Sequence, residues 1–429
     1  MGRQRQRCLP IFGWVYMNKQ NDIRTLFACC LINLSIGVIY AWSVFSTPLY
    51  ERVSAFSPFP DSWMPMVFTV NNFMSPVMMI TGGLLRRRFG ARGLIRLGAI
   101  LFGVGLAGCG VAQSYAVLLL CFGVLLGLGI GCIYGCTVST AVSSLPGHPG
   151  LAGGLATACY GLASVLMSPL ARLLTDVTGI TSACLVIGSS STAITLLFSF
   201  FVTEQAGADE EKWKEEPAGE YRWDSMMKTK RFYLMFLLMA CGTLAGLMVV
   251  SQAADIAQKL VGMGAASAAL AVSAVAFANA VGRACSGIIA DTLGSINTLR
   301  IAFIGSIVAL SGLLLCGKGD NIIFLACILV VGLCFGAVMG VYPSFTASQF
   351  GKKNNNTNYG IMFFGFSAAS FFGPVVAGMV LEHTGTYSAA FICAMFISFV
   401  GLLLTVAAKP VLRLSGVELK IVEGTVPQK

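Results

Sequence analysis

GLGIGCIYGCTVS (residues 127–139) and GLCFGAVMGVYPS (332–344) are two copies of one pattern: Gly127, Leu128, Gly131, Gly135 and Ser139 match Gly332, Leu333, Gly336, Gly340 and Ser344 at an offset of 205. On a helix, residues four apart share a face, so each copy reads as a helix with one glycine face, which lets a neighbouring backbone come close. A second pair repeats at an offset of 204: GLLRRRFGAR from Gly83 and GIIADTLGS from Gly287 share Gly83 and Gly90 with Gly287 and Gly294. A near-constant offset across separate segments marks an internal duplication of about half the chain.

The composition says what is duplicated. Of 429 residues, 56% are hydrophobic and 11% charged, against about 25% charged in a soluble domain; the mean hydropathy is +0.80. Twelve apolar blocks stand at about 23–45, 63–85, 93–112, 115–140, 153–173, 181–203, 231–255, 266–289, 298–317, 321–345, 359–381 and 387–408. Each is long enough to cross about 30 Å of hydrocarbon. The polar stretch 204–230 separates six blocks (23–203) from six (231–408), leaving tails at 1–22 and 409–429. Six is even, so the halves enter the membrane in the same sense. The expected fold is all-α and integral to the membrane, with twelve transmembrane helices in two parallel six-helix pseudo-repeats and a substrate site at their interface.

Charge distribution orients this bundle. With the N-terminus inside, 23 of the 28 basic residues fall in tails and loops on the inner side, including Arg86, Arg87, Arg88, Arg92 and Arg96. That asymmetry places both termini in the cytosol and assigns the net charge of +10 to topology and anionic lipid. A nucleic-acid partner is excluded. Residues 1–22 lack the apolar core of a cleavable signal. Most of the fifteen cysteines sit in apolar blocks as small hydrophobes. With no CxxC pair and only His148 and His383, no metal site or cofactor is expected. Nor does a catalytic set of an enzyme appear.

Against this background Arg283 stands out. It is the only charged residue between Lys259 and Asp291. A guanidinium does not lose its proton, and inside a bilayer it costs about 2.5–3.5 kcal/mol on insertion scales. Its planar fork of donors matches a carboxylate. The alternative is snorkelling toward the interface, or pairing with Asp291 about 12 Å along the helix. Asn279, Arg283 and Gly287 share one face; so do Asn33, Gly37 and Tyr40, and Ser367, Ser370 and Pro374. Polar faces in apolar helices turn inward. Asn71 and Asn72 either meet a ligand or bridge helices.

These features resemble the major facilitator superfamily over residues 23–408, and within it the oxalate:formate antiporter family and the monocarboxylate transporters. SIGVIYAWSVFSTPL (35–49), NAVGRACSGIIADTLG (279–294) and GKKNNNTNYGIMFFGFSAASFFGP (351–374) carry the likeness. The superfamily's loop motif, G-x-x-x-D-R-x-G-R-R, implies a conformational role for Gly83, Arg88 and Gly90, and for Gly287, Asp291 and Gly294. The first copy departs from it, with Arg87 at the acid position; the second lacks the basic residues, with Thr292 and Ser295 in their place.

The resemblance maps a substrate-binding arginine onto Arg283, with Asn279 beside it and Tyr40, Trp42, Tyr134, Tyr160 and Tyr342 as cage aromatics. Packing between helices is the other reading of each aromatic. Oxalate carriers have a second basic residue in span eleven where this chain has Phe366. One arginine without a second cation suits a monocarboxylate such as lactate, pyruvate or formate, since an unpaired second carboxylate would be costly to bury. Proton-linked relatives place an aspartate where Asn279 stands, and Asn does not titrate. Asp255 is the nearest candidate proton carrier, though a helix-end surface charge is the plainer reading. The expectation is therefore a plasma-membrane secondary transporter, monomeric as the family implies, coupled to a proton or a counter-anion. A dicarboxylate exchanger, a carrier of neutral or cationic solutes with a structural Arg283, and a membrane receptor are the alternatives.

Overall fold

A computed structural model describes residues 9–38, 42–203, 219–408 and 411–412. Every regular element among them is a helix, as an apolar chain requires when no water is at hand to satisfy its backbone. The first half contains α1 (Leu9–Ile36), α2 (Trp42–Phe56), α3 (Met64–Val111), α4 (Tyr115–Ser144) and α5 (Pro149–Ser199). The second contains α6 (Lys230–Val250), α7 (Ala265–Leu293), α8 (Ser295–Leu314), α9 (Asn321–Phe350), α10 (Asn355–Thr384) and α11 (Tyr387–Ala408). Nine helices among the described residues are long and apolar enough to cross a membrane. Large apolar side chains such as Leu173, Val177, Leu270, Ile322 and Phe396 lie bare on the outer surface, where lipid would cover them.

Two of these helices are double. α3 breaks at Gly90 (φ 68°) and α5 at Gly179 (φ 80°). The second half breaks at matching places, at Gly294 (φ 84°) between α7 and α8 and at Gly385 (φ 67°) between α10 and α11. Positive φ is open to glycine without a steric penalty, so one pair of turns falls at the duplicated Gly90 and Gly294, and Gly179 and Gly385 form a second pair.

Packing repeats as the sequence does. A Cβ on Gly127 would come 2.9 Å from the Asn71 carbonyl, and one on Gly332 would come 2.9 Å from the Val275 carbonyl. One turn on, Gly131 abuts the Ser75 carbonyl and Gly336 abuts that of Asn279. The glycine faces thus seat α4 on α3 and α9 on α7 with the same register (71 and 75 in one half, 275 and 279 in the other).

The helices outrun the apolar blocks. α1 starts at Leu9, inside the expected tail; α4 continues to Ser144 and α9 to Phe350; and Trp223–Met227 forms a short helix within the expected loop 204–230. Hydropathy ends where polar residues begin, but hydrogen bonding does not. Asn354 and Asn358 of the polar run at the start of α10 donate to the Tyr221 carbonyl at 3.1 and 2.9 Å.

Candidate substrate site

A cavity of ≈ 630 Å³ lies between the two halves, walled by α2, α3, α4 and α5 on one side and by α6, α7, α9 and α10 on the other. Arg283 and Asn279 of α7 belong to its lining, although the arginine is only 1% exposed. Among its hydrogen bonds, Arg283 Nε donates to Asn279 Oδ1 at 2.9 Å and Nη1 donates to the Thr157 carbonyl at 3.2 Å. The first bond is the one-turn spacing of residues four apart. The second crosses the interface, so an arginine of the second half bonds to the backbone of α5 in the first.

Space for the guanidinium comes from α5. A Cβ on Gly161 would stand 3.2 Å from Arg283 Nε and 3.4 Å from Cζ. Gly154, two turns earlier, abuts the Arg283 carbonyl, and so does Gly340 of α9. Arg283 is therefore clasped where α5, α7 and α9 meet.

Asp291 is engaged elsewhere. Its Oδ1 accepts from the Gly150 amide at 2.7 Å and its Oδ2 from the Leu151 amide at 2.8 Å. These are unsatisfied amides of the first turn of α5, where the helix dipole favours an anion. Gly287 abuts Gly150, which brings the two helices near enough for those bonds. Thr357 Oγ1 also crosses the interface, donating to the Ile80 carbonyl at 3.4 Å, and beside the cavity Ser367 Oγ donates to the carbonyl of Asn72, a lining residue, at 2.7 Å. With its amide oriented to satisfy its neighbours, Asn356 donates to the Gly135 carbonyl at 2.7 Å and accepts from the Gly83 amide at 3.2 Å. The halves are closed together at this end, while the cavity reaches Ser168 and Arg172 of α5, Ser251, and Ser273 of α7 at the other.

An aromatic row crosses the interface. The Tyr160 and Tyr134 rings are 4.8 Å apart, Tyr134 and Phe363 5.7 Å, and Phe363 and Phe366 4.8 Å; all four line the cavity. Phe335, Ile130 and Val165 extend the apolar wall.

Other expected site residues are placed differently. Trp42 is not among the lining residues; its ring packs 4.4 Å from Phe122 and 6.3 Å from Phe68. Tyr342 lies off the cavity too, fully buried, with its hydroxyl donating to the Met235 carbonyl at 2.6 Å. Asn71 faces α4, donating to the Phe122 carbonyl at 2.7 Å, and Asn72, one residue on, lines the cavity instead. Asp255 is exposed and not among the lining residues, accepting from Lys259 Nζ at 3.3 Å. That hydrogen bond raises the Lys259 pKa. Gly83 and Gly287 lie at the contact between the halves, Gly90 and Gly294 at turns, and Arg88 sits exposed over the ring of Phe89. Tyr40 lies outside the described residues. Phe363, Phe335, Gly161 and Ser164 line the cavity without having been singled out in the sequence.

Charge in the lining is sparse. Among the described lining residues there is no Asp, Glu or His, and the one basic residue besides Arg283 is Arg172 at the open end. It lies 3.9 Å from Asp176 in an exposed i,i+4 pair, an arrangement worth little.

The sequence profile of the Major Facilitator Superfamily matches residues 26–374. An oxalate:formate antiporter from Oxalobacter formigenes is 23% identical over 398 residues, covering 92% of this chain and 91% of that protein. Monocarboxylate transporter 11 of Mus musculus is 27% identical over 379 residues, covering 85% of this chain and 82% of its own length. A crystal structure of a double Trp mutant of XylE superposes with a TM-score of 0.75 at 15% identity, over 94% of this chain and 98% of that one.

Proposed function

This chain belongs to the Major Facilitator Superfamily, and from that premise we propose that it carries a small organic monocarboxylate across a membrane by alternating access, in exchange for another anion. Arg283 holds the carboxylate. The observation that carries this reading is a single deeply buried guanidinium at an interface cavity whose remaining wall is aromatic, apolar or uncharged polar except for Arg172 at the open end. Charge-assisted bonds from such a fork to a carboxylate are strong and directional.

Phe366 supports one carboxylate over two. It stands in the wall near Phe363, and no second cation lies at the buried end among the described residues. A dicarboxylate would leave one anion facing phenyl rings, a desolvation cost of several kcal/mol. The absence of Asp, Glu and His from the described lining favours anion exchange over proton symport, because no carboxylate or imidazole there carries a proton with the cargo. One relative is named for exchange of oxalate with formate and another for monocarboxylates, which supports a carboxylate cargo. In this reading the closed end of the cavity faces the cytosol, the transporter acts as a monomer, and the membrane is the plasma membrane.

The test is uptake of a labelled three-carbon monocarboxylate into proteoliposomes, with and without anion inside. Saturable uptake, stimulated by internal monocarboxylate and inhibited by other monocarboxylates, is expected. Oxalate outcompeting every monocarboxylate, or inhibition by neutral and cationic solutes alone, would overturn the proposal.

A further inference from the structure

We propose that Asn71 is a positioning residue for the cavity wall: its amide holds open a π turn in α4, and the extra residue in that turn sets the angle at which Ile130 and Tyr134 face the cavity. The ground for this is a helix that changes its pairing where Asn71 touches it. Over Leu119–Leu126 the backbone of α4 is a π-helix, in which amides reach carbonyls five residues back, a pairing rare in proteins and frequent at functional sites. The turn ends as the Gly127 amide goes to the Val124 carbonyl. A return to shorter pairing passes over one carbonyl, about a turn before the end. Phe122 stands at that place, and Asn71 Nδ2 donates to its carbonyl at 2.7 Å. A buried carbonyl needs a partner, and this one finds it on α3.

The second half of the chain is the internal control. Val275 occupies the place of Asn71, since a Cβ on Gly127 would come 2.9 Å from the Asn71 carbonyl and one on Gly332 the same distance from that of Val275. The helix that packs there, α9, is α-helical from Asn321 to Phe350. Amide and π turn occur together in one half, and the matching place in the other has neither. Asn71 is fully buried, and its Oδ1 has no hydrogen-bond partner. Only the donor end is used, so an asparagine that is costly to bury is accounted for by the Phe122 carbonyl.

One residue more or less is about 100° of rotation along a helix. At its outer start α4 is fixed by Tyr115, whose ring lies 5.0 Å from Phe59 and 5.1 Å from Trp63. Past the turn Gly127 and Gly131 seat the helix on α3, and Ile130 and Tyr134 line the cavity. Within the turn Phe122 meets Trp42 of α2 at 4.4 Å, two residues from Val44 of the cavity wall. The π turn absorbs one residue, so that both ends keep their faces. Without the Asn71 amide the passed-over carbonyl has no donor, and closing the turn into an α-helix rotates one end against the other.

Rescue by deletion tests this. Wild type, Asn71→Val, a deletion of Leu120, and the two changes together would be compared by melting temperature in detergent and by half-saturation of monocarboxylate uptake. Leu120 lies in the turn with its side chain outward, so its removal takes out the extra residue and leaves both ends in place. Asn71→Val strands the Phe122 carbonyl, and the deletion alone strands the Asn71 amide. Each is expected to lower the melting temperature by several degrees and to raise the half-saturation concentration several-fold. The double variant, which copies the pairing of the second half, should recover both. A double variant no better than Asn71→Val, unfolded or folded, would overturn the proposal. So would a wild-type melting temperature or a wild-type half-saturation in Asn71→Val, the latter making Asn71 a strut with no bearing on the wall. Melting temperatures need no cargo, so the link between amide and turn is decided separately from the monocarboxylate reading, which fails on its own if the wild type takes up none.

Discussion

Replacing Asp291 by Asn should tilt the balance between the two faces of the transporter. In the structure both carboxylate oxygens accept first-turn amides of α5, at 2.7 and 2.8 Å, and hold the halves together at the closed end. Hydrogen bonds to a charged group contribute about 1.5–3 kcal/mol each, and an anion at a helix N-terminus adds about 0.3–1 kcal/mol. Asparagine keeps one neutral acceptor and loses the charge and the second acceptor. A net loss of about 2 kcal/mol is reasonable from these terms, and it corresponds to roughly 30-fold in the conformational equilibrium. Because the contact exists only with this end closed, the loss weighs on that state alone. Ser168, in the cavity wall toward the open end, reports on it when replaced by cysteine and exposed to a membrane-impermeant thiol reagent, with the unsubstituted protein as the blank. Labelling of Ser168→Cys should slow by an order of magnitude when Asp291→Asn is added, and Asp291→Glu should restore part of it. Equal labelling rates in the presence and absence of Asp291→Asn would refute the assignment of this contact as a conformational latch.

Three further outcomes are expected. Gly336→Ala pushes a methyl onto the Asn279 carbonyl; overpacking of this kind costs about 1–3 kcal/mol, so a lower melting temperature in detergent and weaker uptake should appear together. Phe366→Lys adds a second cation to the cavity wall and should shift competition toward dicarboxylates such as oxalate, read as a fall in the oxalate inhibition constant. Asp255→Asn removes an exposed pair with Lys259 outside the cavity lining, so uptake in exchange mode should keep its rate and its flat profile between about pH 6 and 8, since the described lining holds no Asp, Glu or His.

Much of the architecture was legible because glycine marks geometry. The pairs Gly90 with Gly294 and Gly131 with Gly336 recur in the sequence, and the structure gives each pair one job, a left-handed turn or a helix contact. Arg283 and Asn279 were legible as a one-turn pair on a polar face, and the bond between them follows from that spacing. The aromatics were not sorted by the same logic. Tyr134 and Tyr160 line the cavity whereas Trp42 and Tyr342 pack between helices, and a ring suits either place equally well. Asn71 and Asn72 differ by one residue, or about 100° around a helix, which is finer than hydropathy resolves. Partners across the interface were the least accessible. Nothing local to Asp291 points to Gly150 and Leu151, 140 residues earlier, although Pro149 opening a helix after a polar loop does signal free first-turn amides. Gly161 went unnoticed because its function is the room it leaves for an arginine on another helix.

Substitution of Arg283 tests the central claim most directly. Purified wild type, Arg283→Gln and Arg283→Lys would be reconstituted side by side and assayed for saturable exchange of a labelled monocarboxylate. Their folding would be checked by melting temperature and by the labelling of Ser168→Cys. If the buried guanidinium at the cavity holds the carboxylate, a folded Arg283→Gln protein should lose uptake by about 30-fold or more, since truncating one partner of a buried charged pair costs about 2–5 kcal/mol. Arg283→Lys, which keeps the charge but not the fork, should retain a small remainder with a raised half-saturation concentration. Saturable monocarboxylate exchange at the wild-type level in Arg283→Gln would contradict the account.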